Sequence, residues 1–168
     1  MTEPRRSEYL FGVILTAFIL HAALADNLAL FGARPNLCLV ALLICGLNVG
    51  PGLGAGLGLF AGLLEAAYSP LFFGSLLATR LIGGAAVGSL EFRVFRDNAP
   101  FAFVTVLVGT PLMEGLFYLF APQPNPAAWA IGVLKEMAYH AILALPIYYL
   151  IRRIMHGRNP RLAAARRV

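Results

Sequence analysis

Six ionisable side chains stand within otherwise apolar stretches of this 168-residue chain: Asp26, Glu65, Arg80, Glu114, Lys135 and Glu136. Carboxylates gathered around a guanidinium can make bidentate, charge-assisted hydrogen bonds, exchange protons, or grip a polar ligand. The rival chemistries lack their residues. There is no Gly-x-Ser-x-Gly, and Ser69, Ser75 and Ser89 have no histidine at a recognisable spacing. Glu136-x-x-x-His140 is not the His-Glu-x-x-His zinc motif, and His21 with Asp26 falls short of a ligand set. Gly46, Gly50, Gly54, Gly58 and Gly62 recur every four residues, but no Lys-Ser or Lys-Thr follows and no strand precedes, so a phosphate-binding loop fits poorly. The expectation is a protein that is not an enzyme, with no catalytic residue, no metal and no cofactor.

The elements that must position those six groups are membrane helices. The chain is 60% hydrophobic and 12% charged, with a mean hydropathy of +0.77, against about 45–50% apolar and about 25% charged in average domains. So little polar surface cannot cover a water-facing globule, which excludes a cytosolic enzyme, and disorder needs the opposite bias. At about 20 residues per spanning helix, one membrane domain uses up the chain. Turn signals divide it into six apolar segments, residues 9–30, 31 or 35–49, 51–68, 71–90, 99–121 and 127–151. Proline marks the breaks at Ala33-Arg34-Pro35-Asn36, Asn48-Val49-Gly50-Pro51, Tyr68-Ser69-Pro70, 92–100 and Pro122-Gln123-Pro124-Asn125-Pro126. Short connections make successive helices antiparallel neighbours.

Charge then sets orientation. Ten of the 13 Lys and Arg in a net +5 chain are Arg5, Arg6, Arg93, Arg96, Arg152, Arg153, Arg158, Arg161, Arg166 and Arg167, all outside the apolar runs. With both termini cytoplasmic all ten fall on one side and only Arg34 on the other, as the positive-inside rule requires. The expected class is an all-α integral membrane protein with six transmembrane helices. Residues 1–8 form a cytoplasmic N-terminal segment, 9–151 the membrane domain and 152–168 a basic cytoplasmic tail. Basic ends of this kind meet anionic lipid rather than nucleic acid. Cys38 and Cys45, seven residues apart on one helix, are about 10 Å apart, too far for a disulfide.

An intramembrane charge costs about 2.5–3.5 kcal/mol at mid-membrane, so each should face the bundle interior, water or a partner. Counted from the outer end of each helix, all six fall in one layer roughly 6–14 Å deep at 1.5 Å per residue. Arg80 is the natural hub, with Glu65 in reach across the Ser69-Pro70 hairpin. Lys135 and Glu136 are about 100° apart on their helix and cannot both face that hub, while Glu136 shares a face with His140. Four acids against two bases leave a carboxylate excess to be protonated, hydrated or paired with a donor such as His21 or Tyr139. Two readings stand: a buried ion network that fixes helix register, or an outward-facing polar cavity. Two also stand for the small-residue face of Gly54, Gly58 and Gly62: packing within the bundle, or docking of a partner's helix.

Pro35-Asn36-Leu37, Gly54-x-x-x-Gly58-x-x-x-Gly62-Leu63-Leu64-Glu65, and Ser69-Pro70-Leu71-Phe72-Phe73-Gly74 followed by Gly83, Gly84 and Gly88 resemble the rod shape-determining protein MreD family. These residues lie between 34 and 90; elsewhere the likeness is one of topology. The family commonly has aspartate where Glu65 stands and often Pro-Asp where this chain has Pro35-Asn36. The resemblance implies a non-enzymatic, multi-pass subunit of the bacterial inner (plasma) membrane that binds MreC. Through MreC it would work with RodA, a class B penicillin-binding protein and MreB in peptidoglycan synthesis and cell-shape maintenance. It also implies a bundle like that of S-components of energy-coupling-factor transporters, which supplies the alternative of a vitamin-binding subunit with an outward-facing site.

Overall fold

Local features of the sequence set several of the helix boundaries. The computed structural model describes residues 3–24, 27, 29, 32–90 and 98–156, with side chains at 3–6 and 154–156 excepted. Six α-helices follow in order: α1 Glu3–Leu24, α2 Leu37–Gly46, α3 Pro51–Tyr68, α4 Phe73–Ser89, α5 Ala99–Phe120 and α6 Pro126–His156. A 3-10 turn, Pro70–Phe72, joins α3 to α4, and no strand occurs among the described residues. Pro51, Pro100 and Pro126 sit in the first turn of their helices, where a missing N–H costs nothing. Asp26, Arg93, Arg96, Arg158, Arg161, Arg166 and Arg167 lie outside the described residues.

Helix number agrees with the expectation of six, but helix character does so only in part. Four stretches are long and apolar enough to cross a membrane: Ser7–Leu24, Pro70–Ser89, Ala99–Phe120 and Pro126–Arg153. In α3, five glycines and Glu65 dilute the apolar content. Helix α2 has 10 residues, about 15 Å of rise against about 30 Å of hydrocarbon. It starts late because Asn36 Oδ1 accepts from the Leu39 amide at 2.8 Å, a side-chain cap directly after Pro35. It ends early because Asn48 Nδ2 donates to the Ile44 carbonyl at 2.9 Å and turns the chain aside.

This short helix is the centre of the bundle. Every residue from Cys38 to Val49 is buried, and α1, α3, α4, α5 and α6 all pack against it. A helix apolar on all sides belongs in such a place. Leu39, Leu42, Leu43 and Ile44 join Leu10 and Ile14 of α1, Leu57 of α3, Val106 of α5 and Ala144 of α6 in one core. Cys38 and Cys45 are both free and buried there. The exterior is apolar instead of polar: Leu119, Ile142 and Leu112 are 75%, 72% and 67% exposed. Exposed apolar helices around a charged interior are the arrangement of a membrane protein.

Helices α3 and α4 form the closest pair in the molecule. A Cβ on Gly54 would strike the Gly84 carbonyl, one on Gly58 the Arg80 carbonyl, and one on Gly62 would stand 3.0 Å from Leu77 Cα. The contact is reciprocal, since a Cβ on Gly84 would strike the Gly54 carbonyl. Of the two readings of Gly54, Gly58 and Gly62, packing within the bundle is the one the geometry supports: α4 of this chain fills that face, where the docking reading would place a partner's helix. Gly58→Ala should destabilise the solubilised protein by about 1–3 kcal/mol through overpacking. Gly56→Ala, whose Cβ meets nothing within 4 Å, should change stability by less than about 0.5 kcal/mol; thermal unfolding of the two variants side by side checks the contrast.

Candidate functional site

Glu65 lies three and seven residues beyond Gly62 and Gly58, on the same face of α3. The glycines draw α4 in until a Cβ on Gly62 would be 3.2 Å from the Arg80 Cβ. At that separation Arg80 Nε donates to Glu65 Oε2 at 2.8 Å. Arg80 is 2% exposed and Glu65 7%, so the pair is held away from solvent. On its other side Arg80 Nη2 stands 3.6 Å from Glu114 Oε1 of α5. One guanidinium thus ties α4 to both α3 and α5, and its Nη1 has no hydrogen-bond partner among the described residues.

The second oxygen of Glu65 leads to α2 and α6. Asn36 Nδ2 donates to Glu65 Oε1 at 3.0 Å, while the Asn36 backbone N–H donates to His140 Nε2 at 2.8 Å. A ring nitrogen that accepts carries no proton, so His140 holds its proton on Nδ1 and donates to Thr110 Oγ1 at 3.1 Å. At the entry to α2, His21 Nδ1 of α1 donates to the Pro35 carbonyl at 3.0 Å. Through Asn36 and its neighbours, polar groups of all six helices are linked or adjoining.

These groups surround a cavity of about 240 Å³, lined by His21, Asn36, Glu65, Arg80, Glu114 and Glu136 among others. Helices α1, α3 and α5 end around it and α2, α4 and α6 begin there. Phe18 and Phe117 contribute aromatic wall, and the exposed Arg34 and Tyr68 stand at the mouth. Of the layer read from the sequence, the structure brings together Glu65, Arg80, Glu114 and Glu136. Lys135 does not join them: it lies on the exposed side of α6, because one helical step of about 100° carries it off the face of Glu136. Asp26 is outside the described residues, His21 reaches the cavity wall, and Tyr139 does not line it.

Asn36, His140 and Thr110 carry more of the site than sequence reasoning assigned to them. The Asn36 role had a readable signal, an asparagine between a proline and an apolar run, which is a helix start. Thr110 had none. Among the described residues no three His, Cys, Asp or Glu side chains gather as a metal site. The cavity offers charge and hydrogen bonds to whatever enters it. Comparison with protein-family models, with curated proteins and with solved structures finds no match to this chain.

Removing one member of a buried ion pair strands the other charge. Glu65→Gln should cost about 3–5 kcal/mol, and Glu65→Gln combined with Arg80→Met should recover part of that loss, measured by unfolding of the detergent-solubilised variants. Asn36→Asp keeps the acceptor that caps α2 but replaces the donor to Glu65 with a second carboxylate. It should therefore be more destabilising than Asn36→Ser, by about 1 kcal/mol or more; equal stability of the two variants would show that the Asn36–Glu65 bond contributes nothing.

Proposed function

We propose that this chain is a non-enzymatic, MreD-like subunit of the bacterial cell-elongation machinery, crossing the inner membrane six times with both termini in the cytoplasm. What supports the reading most is where the three resembling segments come to lie. Pro35-Asn36, the Gly54 to Glu65 face and the Ser69-Pro70 turn are separate in sequence. They meet as one unit, Asn36 bonded to Glu65 at 3.0 Å and Glu65 to Arg80 at 2.8 Å, with the glycines setting the approach of α3 and α4. Residues with one shared structural task explain why a family would carry them together.

Six crossings are compatible with a short α2. Irregular backbone at membrane depth is tolerated where protein encloses it, and Ala33, Pro35, Leu47, Asn48 and Val49 at the ends of α2 are all buried. In the six-span orientation the basic ends lie in the cytoplasm and the cavity faces outward. An outward cavity lined by charge also favours a second reading, a substrate-binding subunit resembling an S-component.

The test of the subunit reading is affinity purification from gently solubilised membranes of the native host. An MreC-type protein with one membrane helix and a periplasmic coiled coil should co-purify, with RodA and a class B penicillin-binding protein beside it, and depletion of the chain should round the cells. Cells that keep their rod shape on depletion, with none of these proteins recovered, would refute it.

A further inference from the structure

The charges around the cavity are unevenly matched. Glu65 has a hydrogen-bond partner on each oxygen, Oε1 taking the Asn36 amide and Oε2 Arg80 Nε. Glu114 has only the 3.6 Å approach of Arg80 Nη2. Glu136 lines the same cavity from α6 with no hydrogen bond or ion pair to a described residue. Two carboxylates with spare acceptor capacity therefore face one space. Arg80 has the converse deficit: Nη1, on a side chain 2% exposed that lines the cavity, is a buried donor without an acceptor. A buried charged donor in that state is rare in a settled structure and calls for a partner.

The two deficits have opposite sign and share a guanidinium, so one small molecule can meet both. The volume, about 240 Å³, suits a compact ligand and not a long chain. Phe18, Tyr68 and Phe117 on the wall favour a cation beside them. We propose that the cavity binds a small zwitterion, its primary ammonium held by Glu114 and Glu136 and its anionic oxygen by Arg80 Nη1. Two sources carry that chemistry: a free molecule such as ethanolamine phosphate, or the headgroup of an aminophospholipid entering through the mouth at Tyr68 and Arg34. The inference rests on the outward placement of the cavity and is independent of which machinery the chain serves.

The protein is reconstituted in nanodiscs of phosphatidylcholine and phosphatidylglycerol, titrated calorimetrically with ethanolamine phosphate, and compared with nanodiscs that also contain phosphatidylethanolamine. Choline phosphate, whose methylated cation cannot donate hydrogen bonds, is the control. Saturable binding of ethanolamine phosphate assigns a free ligand. A raised unfolding midpoint only with phosphatidylethanolamine assigns a lipid headgroup. In either case Glu136→Gln and Glu114→Gln should each weaken the response by about 10- to 100-fold, the loss of a charged hydrogen-bond partner. No response to either source, an equal response to choline phosphate, or amide variants that respond as the parent does would overturn the proposal. If one amide variant does not fold, the other and the choline control decide. Failure here leaves co-purification with an MreC-type partner untouched, so the two readings fail separately.

Discussion

A guanidinium can be 2% exposed in an apolar bundle only if carboxylate is delivered to it at hydrogen-bonding distance. That requirement organises this molecule. Arg80 stands on α4, and the nearest carboxylate, Glu65, stands on α3; larger side chains on the facing stripes would push the two helices apart and open the pair to its surroundings. Glycine at 54, 58 and 62 against Gly84 and Gly88 removes the obstacle. Helix packing and the ion pair are therefore one constraint, and the stripe of glycines serves the charge as much as the contact.

From that pair the consequences run outward. Glu65 spends its other oxygen on Asn36, which fixes where α2 begins. Because α2 begins late and is only 10 residues long, the polar end of the bundle is left without a central helix, and the polar side chains of the surrounding helices close around the space instead. The cavity is the direct result of a short core helix under a ring of longer ones.

Much of this was readable in the residues. Six apolar segments separated by prolines correspond to six helices, and the third, residues 51–68, coincides with α3 end for end because Pro51 and the Ser69-Pro70 turn are both sharp signals. The Glu65–Arg80 pairing followed from a tight hairpin and a shared depth, and the divergence of Lys135 from Glu136 from helical geometry alone. What escaped depends on long-range neighbours. Nothing in the sequence near Thr110 points to a histidine 30 residues on. The ownership of the glycine face was ambiguous for a physical reason: close approach of two backbones has the same residue requirement whether the second helix belongs to this chain or to another.

The bond from the Asn36 amide to His140 joins residues 104 apart. Helix α2 thus has two fastenings at its entry, and they become available at different times in the life of the chain. The Asn36 side chain can close on Leu39 as soon as that turn is made. The backbone donor must wait until α6 has been synthesised and inserted. Biogenesis of the bundle consequently has a built-in final latch: the first helices can associate early, but the polar end is sealed only when the last helix arrives, and a chain truncated before His140 would leave that amide exposed at the head of the core helix.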